Sequence, residues 1–435
     1  MTRVSRRHYL QAGSVVVGGA LAGCLGGGNG NGNGNGNGNG NGNGGNLPDE
    51  ITVGLLSPQP HPLAEGAENG TEFAVEKLNE AGGLLDRDLT IEQGTTEVEP
   101  NTAASEARRL VEQENADVII GPMTSESTLS VQAQVTADTG VILFGPGAAS
   151  PRMSQRVAES YDTYKNYFTC VLRSPDVFRT LATNYQEVAR PKVGGGSVVA
   201  IAEDLAWTEG HADAVSDVLD AEVHEIRFPH DTEDFTPIWS EAVDTGANFA
   251  MMAFTVGDDA AMLQQWAESE IPLGVMGVIP SMTLANFPDT VGGNNALSVA
   301  GGEAAARAPK TDKTIPYYDN YSERFDKPPA TYAWYFHDAV MTWAEAVAGT
   351  ETLNLDDLVG FLETETFTST MGTLNMQGPD EQYPHAPMMG KEDGYWWTST
   401  QWQEIDGELQ RVMIAPKAWA DHDGEQEYVL PPWMQ

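Results

Sequence analysis

The sequence predicts an α/β protein built from two doubly wound lobes, and three observations predict it. Short apolar runs of the kind that fill a buried parallel strand recur along the chain. Stretches with apolar residues at helical spacing lie between them. From residue 198 the alternation starts again, so two sheets are expected rather than one.

Residues 51–55 form the first apolar run. Ala67, Thr71, Ala74, Leu78 and Ala81 then recur at intervals of 4, 3, 4 and 3. That is one helical face, and Gly82-Gly83 ends it. Strands are predicted at 89–91, 118–120 and 141–144. A helix is predicted over 102–114 with Asn101 as its N-cap, and another over 125–138. In the second half, strands are predicted at 198–202, 223–228, 249–254 and 275–279, with helices at 209–219 and 258–268 between them. Residues 317–362 read as mostly helical. Late strands are expected at 395–397 and 412–415. In open parallel sheets, ligands bind beyond the carboxyl ends of the strands, so two facing lobes would line a cleft with those loops.

The first 48 residues read as an address and a tether. Arg3, Arg6 and Arg7 precede an apolar stretch over 12–23 that is too short and Gly-rich to span a bilayer. Ser5-Arg6-Arg7-His8-Tyr9-Leu10 resembles the twin-arginine export motif, whose cargo crosses the membrane folded. Leu21-Ala22-Gly23-Cys24 resembles a lipobox, in which Cys24 becomes the first mature residue and carries lipid. Residues 1–23 are therefore expected to be a lipoprotein signal. Residues 24–48 are Gly/Asn-rich and read as a flexible tether. Gly40, Gly42 and Gly45 satisfy G-x-G-x-x-G, but with no strand before them the match is an accident of low complexity.

Composition narrows the class further. The 435 residues carry 63 Asp and Glu against 23 Lys and Arg, for a formal charge of −40. A nucleic-acid binder needs a basic face, so that class is excluded. Only 8 of the basic residues are Lys. Such an acidic, Lys-poor chain repels itself at low ionic strength. At molar salt the Debye length falls to about 3 Å and the repulsion is screened. The expected source is an extreme halophile, against the alternative of an ordinary acidic secreted protein. The two cysteines, Cys24 and Cys170, exclude a disulfide scaffold and a Cys-rich zinc module. No cofactor or metal is expected, because Asp421-His422-Asp423-Gly424 is too short for a calcium loop.

The loop after 118–120 reads Gly121-Pro122-Met123-Thr124-Ser125 and opens a helix. Free N–H groups and two hydroxyls suit an anion such as a carboxylate, although either hydroxyl alone would serve as a helix cap. The loop after 141–144 reads Gly145-Pro146-Gly147-Ala148-Ala149-Ser150-Pro151. Its small residues allow close backbone approach by a ligand, and equally an ordinary tight strand exit.

Ordered pieces over about residues 49–395 resemble the extracytoplasmic substrate-binding proteins of ABC transporters, of the branched-chain amino acid type. They are Ile51-Thr52-Val53-Gly54-Leu55, Asn79-Glu80-Ala81-Gly82-Gly83, Val118-Ile119-Ile120-Gly121-Pro122, Gly145-Pro146 through Ser150-Pro151, and Arg324-Phe325-Asp326-Lys327-Pro328-Pro329 with Tyr332-Ala333 and Asp338-Ala339-Val340. The resemblance implies a type I periplasmic-binding-protein fold, two α/β lobes joined by three crossings. These are placed near 168–173, 299–303 and 371–374. Lobe 1 would comprise 49–170 and 304–370, and lobe 2 would comprise 171–303 and 371–435. The ligand would bind between the lobes, and hinge closure would bury it.

Roles carry over by position. With Thr124 beside it, Ser125 matches the hydroxyl that holds the ligand carboxylate. Gly147 matches a backbone contact. Ala149 stands where Thr is usual, leaving Ser150 next door to replace the hydroxyl. Trp207 matches an aromatic that covers the ligand, against the alternative of a core Trp. Thr255 or Val256 matches a further lobe-2 contact. Ile279 stands where an acid pairs with the ligand ammonium, so either Glu203 or Asp204 takes that role or the ligand is not an amino acid. Cys170 has no partner for the family's lobe-1 disulfide and is expected to be a buried strand residue.

The resemblance implies a monomer on the extracellular face of the cell membrane, anchored by lipid on Cys24. It would serve ABC permease and ATPase subunits, capturing a small amino acid, amide or carboxylate without chemistry. A sensor for a signalling or chemotaxis receptor has the same features. An extracellular hydrolase is disfavoured by the absence of H-E-x-x-H and G-x-S-x-G. Asn69 and Asn320 head glycosylation sequons, and Asn320 is the better candidate.

Overall fold

The computed structural model describes residues 48–435 except 256, 392–393 and 421–425. The signal and tether, with Arg6, Arg7 and Cys24, lie outside the described residues, as do Val256 and residues 421–424.

Five strands form the first sheet: β1 (Ile51–Ser57), β2 (Leu89–Thr95), β3 (Val118–Ile120), β4 (Ile142–Phe144) and β5 (Tyr167–Phe168). All pair in parallel, in the order β2-β1-β3-β4-β5. The three residues of β3 and of β4 are wholly buried, as strands covered on both faces must be. The helix Ala64–Glu80 turns its predicted face inward, with Ala67, Thr71, Ala74 and Leu78 buried. The next helix runs Pro100–Glu112. Proline's fixed φ suits a first helical position, so the helix starts one residue before Asn101, with Glu99 as its N-cap.

The second sheet contains β6 (Val198–Glu203), β7 (Val223–Phe228), β8 (Phe249–Ala253) and β9 (Gly274–Val278). It is also parallel, in the order β7-β6-β8-β9. The helix Asp259–Glu268 is capped by Asp258, whose carboxylate accepts from the Ala261 N–H at 2.8 Å. The helix expected over 209–219 is shorter, His211–Ser216. This is the type I periplasmic-binding-protein fold that the resemblance implies.

The remaining strands join the two units. β10 (Ala300–Glu303) leads back from the second sheet to the helices Thr314–Phe325, Thr331–Thr350 and Leu355–Thr364. β11 (Thr366–Thr368) and β12 (Thr373–Asn375) form a hairpin. Residues 371–374 lie in this hairpin and its turn. The chain then stays beside the first sheet. His385 stacks on Phe168 with ring centroids 4.1 Å apart, and its Nδ1 lies 2.8 Å from the Tyr167 carbonyl oxygen. β13 (Thr398–Ile405) and β14 (Glu408–Ala415) complete an antiparallel sheet with β10. The strand predicted at 395–397 thus begins three residues later, at Thr398.

Buried polar groups fasten the joining segments. Arg173 is fully buried. Its guanidinium donates to the carbonyl oxygens of Ser150 and Val171, to the Thr169 hydroxyl and to the Tyr167 hydroxyl, at 2.8–3.3 Å. Lys310 donates to the carbonyl oxygens of Ala304 and Trp396 at 2.7 and 2.8 Å, and burial pulls its pKa down to about 7. Cys170 is buried and free, just beyond β5 rather than within it.

Candidate functional site

Loops at the carboxyl ends of both sheets meet around one cavity, as the switch-point rule requires. The lining residues surround about 550 Å³ of space, counted with the open solvent at its mouth. From the first sheet come the loops after β3 and β4. From the second come those after β6, β8 and β9. The helix Thr331–Thr350 closes the floor with Thr331, Tyr332 and Tyr335, and Trp397 enters just before β13.

Thr124, Ser125, Gly147, Ala149, Trp207, Thr255 and Ile279 all line this cavity. Ser150 does not. It is fully buried, and its hydroxyl accepts from the Arg152 N–H at 3.3 Å. Its backbone N–H donates to the Ser125 hydroxyl oxygen at 3.1 Å. That contact couples the two first-lobe loops and leaves the Ser125 proton available for a further acceptor. Ser125 opens the helix Ser125–Val131, and Thr124 at the N-cap makes no capping hydrogen bond.

Gly147 is required by close approach. A Cβ there would meet the Met123 carbonyl oxygen at 2.4 Å and the Tyr332 ring at 2.7 Å. The glycine thus lets the second loop seat against the first and against the floor. The Ala149 carbonyl accepts from the Ser174 N–H at 2.8 Å, which ties the same loop to the first joining segment.

On the second lobe, Trp207 is 5% exposed and packs 5.4 Å from the Phe178 ring. It both contributes to the core and faces the cavity, so the two expectations for it were not exclusive. The Thr255 N–H donates to Glu203 Oε2 at 2.7 Å, and the Gly257 N–H donates to the other oxygen. Glu203 is fully buried and shapes this loop from behind. Asp204 is turned to the surface, where it pairs with Arg227 at 2.8 Å. Among the described residues, no carboxylate, ammonium or guanidinium lines the cavity.

Contacts cross from one lobe to the other at the rim. Glu126 Oε1 accepts from the Ala206 N–H at 3.0 Å, and Arg152 pairs with Glu209. Behind the cavity the Thr331 N–H reaches the Thr283 hydroxyl at 3.4 Å.

Tyr332, Tyr335, Thr331 and Trp397 were not read as cavity residues in the sequence. The i, i+3 spacing of Tyr332 and Tyr335 marks one helical face, but nothing local shows that the face meets loops from much earlier in the chain.

A two-lobed α/β molecule with a central cavity, walled by hydroxyls and rings, is a binding protein. The profile of the periplasmic binding protein family matches residues 50–391, and the chain belongs to that family. Its members are solute-binding proteins, and this chain is not an enzyme. It is similar to Leu/Ile/Val-binding protein homolog 7 of Brucella abortus, at 25% identity over 390 residues, 85% of this chain and 92% of the relative. In fold it is similar to the branched-chain amino acid transporter substrate-binding protein LivJ of Streptococcus pneumoniae, solved with isoleucine. There the TM-score is 0.68 at 18% identity, over 84% of this chain and all of the other. It is likewise similar to an ABC-transporter solute-binding protein of Rhodopseudomonas palustris solved with 3,4-dihydroxybenzoic acid. That match has a TM-score of 0.67 at 16% identity, over 89% of this chain and all of the other.

Proposed function

We propose that this chain is the extracellular, lipid-anchored solute-binding component of an ABC importer in a halophilic archaeon. It captures a small ligand between its lobes and delivers it to membrane permease and ATPase subunits. The observation that carries this reading is the cavity bounded by strand-end loops of both sheets, with rim contacts that join only when the lobes are together. The names of the relatives, which describe amino-acid-binding and transport proteins, support the same reading.

In this reading the lobes follow the two parallel sheets and turn about three joining segments. The first two pass near 168–173 and 299–303. We place the third after residue 389 rather than at 371–374, because residues 376–389 remain hydrogen-bonded within the first lobe's neighbourhood. Thr124 and Ser125 donate to the ligand from lobe 1, and Trp207, Thr255 and Ile279 cover it from lobe 2. Cys24 carries the lipid, the Arg6-Arg7 signal exports the folded chain, and the Gly/Asn run gives it reach. The binding protein acts as a monomer.

Thermal unfolding of the full chain in molar salt, against amino acids, amides, urea and organic acids, tests capture. A ligand at 100 times its Kd stabilises by about 2.7 kcal/mol. Anchoring is tested separately: Cys24→Ser is expected to release the exported protein into the medium. Protein that stays with the membrane after that change would remove the lipid from the account.

A further inference from the structure

Two buried donors on the cavity wall have no partner in the protein. They are the indole N–H of Trp207 and the hydroxyl of Thr331. The Trp397 indole N–H and the Tyr335 hydroxyl instead face the Tyr395 hydroxyl oxygen. Trp207 and Thr331 are more than nine-tenths buried, and both line the cavity. An indole N–H donates only, so Trp207 demands an acceptor. Ser125 adds a third donor, because its oxygen already accepts from Ser150.

Acids, by contrast, are turned away from the cavity. Both Glu203 oxygens receive backbone N–H groups of the 255–257 loop. Asp204 faces solvent on Arg227. Asp259, at the start of the helix Asp259–Glu268, is 5% exposed and accepts from the Ser281 N–H at 3.1 Å. At Ile279 the cavity wall is a fully buried aliphatic side chain. A ligand ammonium enclosed here would lose its water and gain no facing anion, a costly exchange.

We propose that the cavity takes a small monocarboxylic acid with an aromatic or branched apolar body and no amino group. This inference rests on the capture reading above and narrows its ligand. A carboxylate offers about four acceptor sites and no donor, which matches the surplus of donors. The rings of Trp207, Phe254, Tyr332 and Tyr335 provide the apolar surroundings for the body.

Matched pairs that differ only in the amine test it. Calorimetric titration of the full chain in molar KCl would compare 4-methylpentanoate with leucine and 3-phenylpropanoate with phenylalanine. Benzoate and benzamide form a third pair, which separates charge from shape. The amine-free acid is expected to bind at least tenfold more tightly than its amino acid, and benzoate more tightly than benzamide. Leucine or phenylalanine binding as tightly as its amine-free partner would overturn the inference while leaving capture intact. Loss of that amino-acid binding in Glu203→Gln would then name Glu203 as the ammonium partner. Amides that bind as well as acids would also overturn it. No heat from any compound, with no change in radius of gyration by small-angle scattering, would overturn the capture reading itself.

Discussion

The Ala206 N–H donates to Glu126 Oε1 at 3.0 Å, and this bond runs from the second lobe to the first. Glu126 follows Ser125 in the same helix, so the group that latches the rim sits one residue from the group that faces the ligand. Glu126→Ala should favour the open form and weaken ligand binding by roughly fivefold, the effect of losing about 1 kcal/mol of hydrogen bonding. Glu126→Gln keeps an acceptor and should bind nearly as the parent does. Stopped-flow dissociation would check this, with the loss expected in the off-rate. Equal off-rates in parent and alanine variant would exclude the latch.

Ser125 and Trp207 face the cavity from opposite lobes. Ser125→Ala removes a ligand donor and also strips the Ser150 N–H of its acceptor, which costs about 1–3 kcal/mol if that group stays buried. Trp207→Ala removes a ring that also packs on Phe178. Each should weaken binding at least tenfold, or about 1.4 kcal/mol. Unfolding without ligand separates lost stability from lost contact. Unchanged affinity in both variants would place the ligand elsewhere.

Asp259 should make stability depend on pH. Burial raises its pKa to about 6, against the Ser281 N–H, which favours the anion. An ordinary aspartate loses its proton near pH 4. Between those values the folded state binds a proton that the unfolded chain has released. Stability therefore falls as pH rises through that window, and the penalty is complete above pH 6. Asp259→Asn should be more stable than the parent at pH 8, by at most about 3 kcal/mol. The advantage should vanish as pH falls toward 4. A difference that does not change with pH would acquit Asp259.

Net charge predicts a salt response of the opposite kind from that of an ordinary salt-bridged surface. With a formal charge of −40, mutual repulsion outweighs the pairs. The unfolding midpoint should rise steadily from 0.1 to 2 M KCl, by circular dichroism. A midpoint that falls over that range would contradict the halophilic reading.

Strands with continuous apolar sequence were legible. Residues 118–120 are Val-Ile-Ile, and β3 occupies them. β13 was not, for a physical reason. Its first six residues, Thr-Ser-Thr-Gln-Trp-Gln, are buried, yet five are polar. They are satisfied by partners such as Glu303, whose carboxylate accepts from Thr400 Oγ1 at 2.6 Å. The apolar run just before it, Tyr395-Trp396-Trp397, looked like the strand, but the Trp396 indole donates to Asn184 Oδ1 at 3.1 Å and Trp397 lines the cavity. The lobe-1 loops of the site could be read because strand, glycine and hydroxyl are adjacent in sequence. The floor residues Tyr332 and Tyr335 could not, because only the fold brings them to those loops. Ser150 differs by one residue: Ala149 faces the cavity, and Ser150 turns its hydroxyl back to the Arg152 N–H.

Arg173 makes all four of its hydrogen bonds to uncharged oxygens, inside the protein. Arg152 and Glu209 meet at the rim with half of each side chain in solvent. Dissolved ions screen the second kind of contact and scarcely reach the first. The molecule thus has a bearing indifferent to brine and a clasp that feels it. A shift in external salinity would leave the axis of movement where it is and change only how firmly the mouth is held shut.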